Sequence, residues 1–223
     1  MIKILYCTDY LSAGGVESQT TALVTGLDQS RFEPHVMCFY GECAERSLQF
    51  VPDIRAAGIP LNILDLTFDR RSKVRGVTEI IRQTWRLRPQ IFHAVNYHGN
   101  LLGSLARPFL PPQTRFVGAS YTETTPKQLL YQRLSWWLTA AIVVNSPHLV
   151  EQLHRDARIP LRKIVHIPNG LYVERFQNNP NPSFREQIAP DAEVVLMMLT
   201  RIVPRKASHL LAEALGILKS RQQ

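Results

Sequence analysis

The sequence is poor in cysteine and lacks any long apolar run. Its three cysteines, Cys7, Cys38 and Cys43, are too few and of the wrong parity for a disulfide framework. Cys7 and Cys38 fall in strand-like runs, so we interpret them as small buried hydrophobic residues rather than zinc ligands. No apolar stretch approaches the roughly 18 residues that cross a bilayer, and the opening Ile2–Cys7 is typical of a first strand rather than a signal peptide. Together these absences favour a protein of the reducing cytoplasm.

Acidic residues are also scarce relative to basic ones. The chain has 26 Lys and Arg against 18 Asp and Glu, which gives a formal net charge of +8. Such an excess suits an anionic ligand, an anionic membrane surface or nucleic acid, and it does not choose among them. The apolar content of 45% is ample for a buried core, so wholesale disorder is excluded.

Short apolar runs alternate with helical periodicity along most of the chain. The runs are rich in Val, Ile and Leu and do not alternate cleanly with polar residues, as expected for strands buried on both faces. Repeated βα units of this kind predict an α/β fold with a doubly wound parallel sheet. The predicted strands are Ile2–Thr8, His35–Tyr40, Leu61–Leu66, Gln90–Val95, Arg115–Ser120, Ala141–Asn145 and Lys163–Ile167.

A change of composition divides the chain. Residues 1–176 are predicted to form the first domain, and the polar, proline-containing residues 177–182 form a linker. Residues 183–223 then contain a short helix, a strand at Val194–Leu199 and an amphipathic helix at Ala207–Lys219. One strand with two helices cannot bury both faces of a sheet, so we expect this second domain to be incomplete.

Three short motifs follow strand-like runs, where the loops of α/β proteins bind ligands. Gly14 and Gly15 open a helix, and such a start lets backbone N–H groups approach a phosphate closely. Alternatively, the two glycines serve turn geometry alone. Arg201 and Lys206 lie five residues apart, a pairing that suits a diphosphate, although a solvated basic loop has the same composition. The third motif is Ile167-Pro168-Asn169-Gly170, which on its own predicts only a turn.

The segment from Phe92 to Asn100 ends the fourth strand and opens a helix. A neutral histidine both donates and accepts hydrogen bonds, so His93 or His98 can act on a sugar hydroxyl or on a developing charge. The structural alternative is that His93 is a satisfied core histidine and that His98 or Asn100 caps the helix.

In this order, the motifs resemble the retaining nucleotide-sugar glycosyltransferases of the GT-B fold, a family that builds lipopolysaccharide, glycolipids and other glycans. The resemblance implies that residues 1–176 are the acceptor-side Rossmann-like domain and that residues 183–223 open the donor-side domain. It also implies a role for each candidate residue: His93 and His98 in catalysis, Asn96 and Asn100 on the acceptor side, and Gly14, Gly15, Arg201 and Lys206 at the donor diphosphate.

The chain departs from the family pattern at three points. Tyr172 stands where the family usually has Asp, and Ala207 stands where it usually has glycine after the lysine. No two glutamates lie eight residues apart, so the family's Glu-x7-Glu pair is missing. No Asp-x-Asp is present either, which disfavours the metal-dependent GT-A type.

From the resemblance we expect a nucleotide diphosphate sugar donor, a glycan or glycolipid acceptor, retention of configuration, and neither metal nor cofactor. We expect residues 1–223 alone to be inactive.

A second interpretation is a non-catalytic basic Rossmann-like module that binds an anionic glycan, a lipid head group or nucleic acid. Nucleic acid is disfavoured because no interleaved aromatic platform is visible. The basic stretch from Arg70 to Arg88, which includes Trp85, suits peripheral contact with anionic lipid at the inner face of the membrane. A solvated helix face explains it better, and Trp136 and Trp137 are predicted to pack in the core.

Overall fold

The computed structural model describes residues 1–41, 48–67, 69–122, 124–170, 183–200 and 202–221. The chain divides into two compact units, Met1–Leu171 and Tyr172–Gln223. The predicted linker at residues 177–182 lies outside the described residues, as do Cys43 and Arg201.

The first unit is built on a seven-stranded parallel sheet, which confirms the predicted fold class. The strand order is β3-β2-β1-β4-β5-β6-β7. All seven predicted strands of this unit are present, with bounds that shift by a few residues. They are β1 Ile2–Thr8, β2 Phe32–Cys38, β3 Leu61–Ile63, β4 Ile91–Val95, β5 Arg115–Ser120, β6 Ala141–Val144 and β7 Ile164–His166.

Helices connect the strands and cover both faces of the sheet. Side chains cap two of their starts: Thr125 forms a capping box with Gln128, and the Ser146 hydroxyl accepts from the Leu149 N–H. In the first unit the helices are α1 Gly15–Gly26, α2 Val51–Ala56, α3 Arg70–Leu87, α4 Asn96–Ala106, α5 Pro126–Ser135 and α6 Pro147–Arg155. Short 3-10 turns at Arg107–Phe109 and Trp136–Leu138 extend α4 and α5, and another at Leu161–Lys163 precedes β7.

The core lies on the two faces of the sheet because successive strand residues point to opposite sides. Leu5 and Phe92 pack with residues of α3 and α4, whereas Ile4 and Val36 pack with residues of α1 and α2. Cys7 and Cys38 are buried free thiols, as predicted. Burial raises the pKa of the Cys38 thiol to about 12 and that of Cys7 well above its usual value.

In the second unit the prediction of a strand at Val194–Leu199 is wrong. These residues form neither strand nor helix, and their apolar side chains are exposed, 72% for Val194 and 97% for Leu199. A strand is stabilised by pairing with a neighbour, and no neighbouring strand is present among the described residues of this unit. The helices α7, Ser183–Ile188, and α8, Ser208–Arg221, do form near their predicted places.

The helices that the structure describes include none with the length and apolar character of a membrane span.

Candidate functional site

A polar cluster at the carboxyl edge of the sheet joins the end of β1 to the start of α4. The buried carboxylate of Asp9 accepts three hydrogen bonds there. Its Oδ1 lies 2.9 Å from the Gly99 N, and its Oδ2 lies 3.3 Å from the His98 N and 3.2 Å from His98 Nδ1. Asp9 therefore caps α4 from a different loop, and it satisfies N–H groups that a helix start leaves without partners.

The same carboxylate fixes the His98 ring. Because a carboxylate only accepts, Nδ1 carries the proton of the neutral ring and Nε2 is the acceptor nitrogen. The rings of Tyr40 and Tyr97 stand edge-on to His98, with centroids 5.3 and 5.2 Å away. The His98 side chain is 22% exposed. The site thus contains an oriented, partly accessible imidazole at the edge where α/β proteins bind ligands.

Asn96 and Asn100 lie in the first turns of α4, close to His98 in sequence and in space. Asn96 has a left-handed backbone, with φ of 67°, which asparagine tolerates better than most residues. The Asn100 amide Nδ2 donates to the carbonyl oxygens of Asn96 and Ala119, both at 2.7 Å. Its Oδ1 lies over Gly118, where a Cβ would be 2.6 Å away. The Asn100 side chain thus links α4 to β5 by a hydrogen bond.

A shallow pocket that is open to solvent lies between the first turns of α4 and α5. Asn96 and Asn100 both line it, as do three tyrosines and two glutamines. The described residues that line this pocket include no Lys, Arg, Asp or Glu, so it suits a neutral ligand with many hydroxyl groups. The lining residues are Asn96, Tyr97, Asn100, Ala119, Ser120, Tyr121, Thr122, Thr124, Gln128, Tyr131 and Gln132.

Gly14 and Gly15 lie at the start of α1, which follows β1 at the same edge. Gly14 is the N-cap residue, with an extended backbone and no side-chain cap. A Cβ on Gly14 would collide with the Glu17 carboxylate, whereas the space around Gly15 is open. There is therefore room for a ligand next to Gly15, and the role of the two glycines at the donor phosphate stays a prediction.

His93 occupies a different environment from His98. It lies in the middle of β4, is buried, and stacks obliquely on Tyr6 of β1 with ring centroids 5.1 Å apart. Its Nε2 is buried with no partner in the part of the chain that the structure describes. Burial lowers the pKa of His93 to about 4, so the ring is neutral at physiological pH. The structure thus places only one of the two candidate histidines at the Asp9 cluster.

The Ile167–Gly170 turn is held by side chains from two other elements. The Gly170 N–H donates to Gln19 Oε1 at 2.9 Å, and Gln19 Nε2 donates back to the Gly170 carbonyl oxygen. Asn145 Nδ2, after β6, lies 3.2 Å from Asn169 Oδ1. The turn is therefore tied to α1, the helix that begins at the glycine pair.

In the second unit, Lys206 ends a 3-10 turn, Pro204–Lys206, directly before α8, and it is exposed. Ala207 follows with φ of 53°, a left-handed conformation that favours glycine. Arg201, its predicted partner at the diphosphate, lies outside the described residues. Within those residues no group of three or more His, Cys, Asp or Glu side chains could hold a metal ion.

Sequence reasoning did not identify Asp9 or Gln19. For Asp9 a signal existed, since an acidic residue directly after the first strand of a parallel sheet stands at the ligand-binding edge. For Gln19 no local signal exists, because its partner Gly170 is 151 residues away.

A parallel sheet of this order, covered by helices on both faces, is a Rossmann-like domain, as found in glycosyltransferases of the GT-B fold. The family model described as Glycosyltransferase Family 4 matches residues 13–175. The chain therefore belongs to Glycosyltransferase Family 4. No curated protein sequence is matched by this chain.

Solved structures with the same fold include a glycosyltransferase from Rickettsia africae, which is 18% identical with a TM-score of 0.71. The match covers 98% of this chain and 58% of that one. A sucrose-phosphate synthase from Thermosynechococcus elongatus is 11% identical with a TM-score of 0.59, and the match covers 84% of this chain and 52% of that one. A UDP-GlcNAc 2-epimerase from Neisseria meningitidis, bound to UDP-GlcNAc, is 12% identical with a TM-score of 0.59. The match covers 86% of this chain and 54% of that one. This chain thus spans little more than half the length of these proteins.

Proposed function

We propose that the protein is a glycosyltransferase that moves a sugar from a nucleotide diphosphate sugar to a glycan or lipid-linked acceptor. The observation that carries the proposal is the Asp9–His98 pair at the start of α4, in a chain of Glycosyltransferase Family 4. The first turns of the same helix also line a neutral, tyrosine-rich pocket. In the reaction, the bond between the anomeric carbon and the diphosphate oxygen breaks. The acceptor hydroxyl oxygen bonds to that carbon on the same face, so that configuration is retained, and the hydroxyl proton passes to the departing diphosphate oxygen.

His98 is the residue of the first unit that we assign to the reacting sugar. With Nδ1 held by Asp9, its Nε2 accepts a hydrogen bond from a sugar or acceptor hydroxyl in a fixed direction. Such preorientation is effective because the ring does not have to be reoriented when charge develops. The pocket formed by α4 and α5 binds the acceptor, with its tyrosines packing on the sugar and its amides bonding to hydroxyl groups. His93, buried and neutral, supports the strand beneath this site.

The departing diphosphate carries the largest developing charge of the reaction. We assign Arg201 and Lys206 to its neutralisation and the backbone of Gly14 and Gly15 to its binding from the first unit. No metal or other cofactor is required in this scheme. We further propose that the enzyme works in the cytoplasm, at the inner face of the membrane where lipid-linked acceptors are available.

The direct test is transfer from a panel of nucleotide sugars to membrane-extracted acceptors, by a chain that carries a complete donor-side domain. We expect one donor to be used, the product to keep the anomeric configuration by NMR, and EDTA to leave the rate unchanged. Residues 1–223 alone should give no transfer, because the nucleoside and sugar contacts of the donor are then missing. Inversion, or loss of activity in EDTA with recovery in Mn²⁺, would overturn the mechanism.

Two variants test the diphosphate assignment in the same chain. Arg201→Ala and Lys206→Ala should each weaken nucleoside diphosphate binding about tenfold or more, since a charge-assisted hydrogen bond contributes about 1.5–3 kcal/mol. Lys219→Ala, which removes an exposed lysine from α8, is the matched control and should leave affinity unchanged. Equal affinities in all three variants would reject the assignment. Preference for single-stranded nucleic acid over every nucleotide sugar would instead favour a non-catalytic binding module.

A further inference from the structure

The net positive charge of the chain is concentrated on three adjacent helices. Together with the 3-10 turns that extend α4 and α5, helices α3, α4 and α5 carry nine Lys and Arg residues but one acidic residue, Glu79. This excess of eight equals the net charge of the whole chain, so the remaining residues are balanced. Glu79 is engaged by Arg82, with Oε1 2.5 Å from Nη2. Helix α4 packs against both α3 and α5, so the cations belong to one helical face of the sheet.

Helix α5 adds an exposed apolar stripe to this face. Leu130, Leu134 and Trp137 follow one another at spacings of four and three residues and are 57%, 67% and 64% exposed. The Trp137 Nε1 donates to the Leu134 carbonyl oxygen at 2.8 Å, which holds the ring at the end of the helix. The prediction that both tryptophans pack in the core is therefore wrong for Trp137, whereas Trp136 does pack against the core.

We propose that the α5 stripe of Leu130, Leu134 and Trp137 enters the interface of an anionic lipid bilayer. Leucine and tryptophan on one helix side, next to cations, are the features by which helices lie in the head-group region. The exposed arginines of α3, among them Arg71 and Arg75, then lie near lipid phosphates. A second copy of the chain fits this face poorly, because two faces of the same charge would repel each other.

Helix α5 takes part in both this surface and the acceptor pocket. It contributes Gln128, Tyr131 and Gln132 to the pocket, and it exposes Leu130 and Leu134 to solvent on another side. The inference thus rests in part on the proposed function: it makes the acceptor lipid-linked, with its sugar in the pocket and its lipid still in the bilayer.

Vesicle sedimentation with residues 1–223 tests the surface. The protein should bind vesicles of phosphatidylglycerol and phosphatidylcholine, be released at high salt, and bind pure phosphatidylcholine vesicles far more weakly. Leu134→Gln should weaken binding about tenfold, because one apolar side chain no longer leaves water. Leu161→Gln, which alters an equally exposed leucine outside the three helices (55% exposed), should stay within about twofold of the wild type.

A second set of variants tests the contribution of charge to vesicle binding. The double variant Arg71→Gln/Arg75→Gln should weaken binding about fivefold per arginine, while the control Arg162→Gln should have little effect. Equal binding to neutral vesicles, no binding to anionic ones, or equal losses in the control variants would overturn the proposal. So would a dimer in sedimentation velocity that Leu134→Gln dissociates, since the stripe would then be covered by a second copy.

Different experimental results would contradict the proposed docking surface and the proposed transferase activity. Transfer to a water-soluble acceptor by a chain with a complete donor-side domain should survive Leu134→Gln. Vesicle binding without any transfer would overturn the proposed function alone. Transfer without vesicle binding would overturn the docking surface alone.

Discussion

Two of the helices that start at the carboxyl edge of the sheet, α4 and α1, use their first N–H groups differently. At the start of α4, the Asp9 carboxylate accepts from the His98 and Gly99 N–H groups. At the start of α1, the N-cap residue is Gly14, and no side chain caps the helix. The first start thus holds a side chain of the protein, whereas the second has no side-chain cap and has open space at Gly15.

The largest effect that we expect concerns the strands leading into these helices, β1 and β4, which touch through Tyr6 and His93. The unfolded chain binds a proton at His93 near pH 6.5, whereas the folded state does so near pH 4. The stability that His93 contributes while neutral is therefore complete above pH 6.5 and is lost as the pH falls towards 4, by about 3 kcal/mol.

His93→Phe removes the titrating group, so its free energy of unfolding should fall less between pH 6.5 and 4 than that of the wild type. Urea denaturation at several pH values measures the difference. His148→Gln, at an exposed histidine, is the control and should keep the wild-type slope. An unchanged slope in His93→Phe would mean that folding does not lower the pKa of His93.

The next effect separates the buried cap of α4 from a surface cap. Asp9→Asn preserves shape but replaces an acceptor oxygen by a donor, which leaves a buried N–H group without a partner. We expect the free energy of unfolding to fall by about 2 kcal/mol. Asp69→Asn, at the exposed N-cap of α3, should cost far less, because asparagine caps helices about as well as aspartate. Equal losses would show that the Asp9 cluster is an ordinary cap.

A smaller effect tests whether the start of α1 is open. Gly15→Ala adds a methyl group to open space, so stability should change by less than about 0.5 kcal/mol. Nucleoside diphosphate binding should weaken about fivefold, because the methyl group occupies the approach to the backbone. NMR titration gives the affinity, and Gly216→Ala, another glycine with open space around it, is the control. Unchanged affinity for Gly15→Ala would place the ligand elsewhere.

The smallest effect concerns a third helix start, that of α8. Ala207 has the left-handed conformation in which the family usually has glycine, so Ala207→Gly relieves backbone strain there. We expect α8 to gain about 0.5–1 kcal/mol, measured by hydrogen exchange of its amides. A loss of protection would mean that the alanine suits this turn.

The sequence predicted the fold well because buried parallel strands leave a strong local signal, as Ile2–Thr8 and Arg115–Ser120 show. It failed at Val194–Leu199, where strand propensity is high but the described residues of the second unit include no strand with which this segment could pair. The roles of Asp9 and Gln19 were not predicted, because they arise from contacts between elements that are distant in the chain. Trp137 was misassigned because periodicity alone does not say which side of a short helix faces the core.

The Gln19 contact makes the backbone amide of Gly170 a reporter of α1, although Gln19 and Gly170 are 151 residues apart in the chain. The Gly170 N–H donates to a side chain rather than to a strand or helix backbone. Its exchange with deuterium therefore requires only that the glutamine releases it, not that the sheet unfolds. A ligand that tightens or shifts α1 should change the exchange rate at Gly170, although nothing has bound to the turn itself. The crosspeak of this one glycine would then record occupancy of the glycine pair without any label on the ligand.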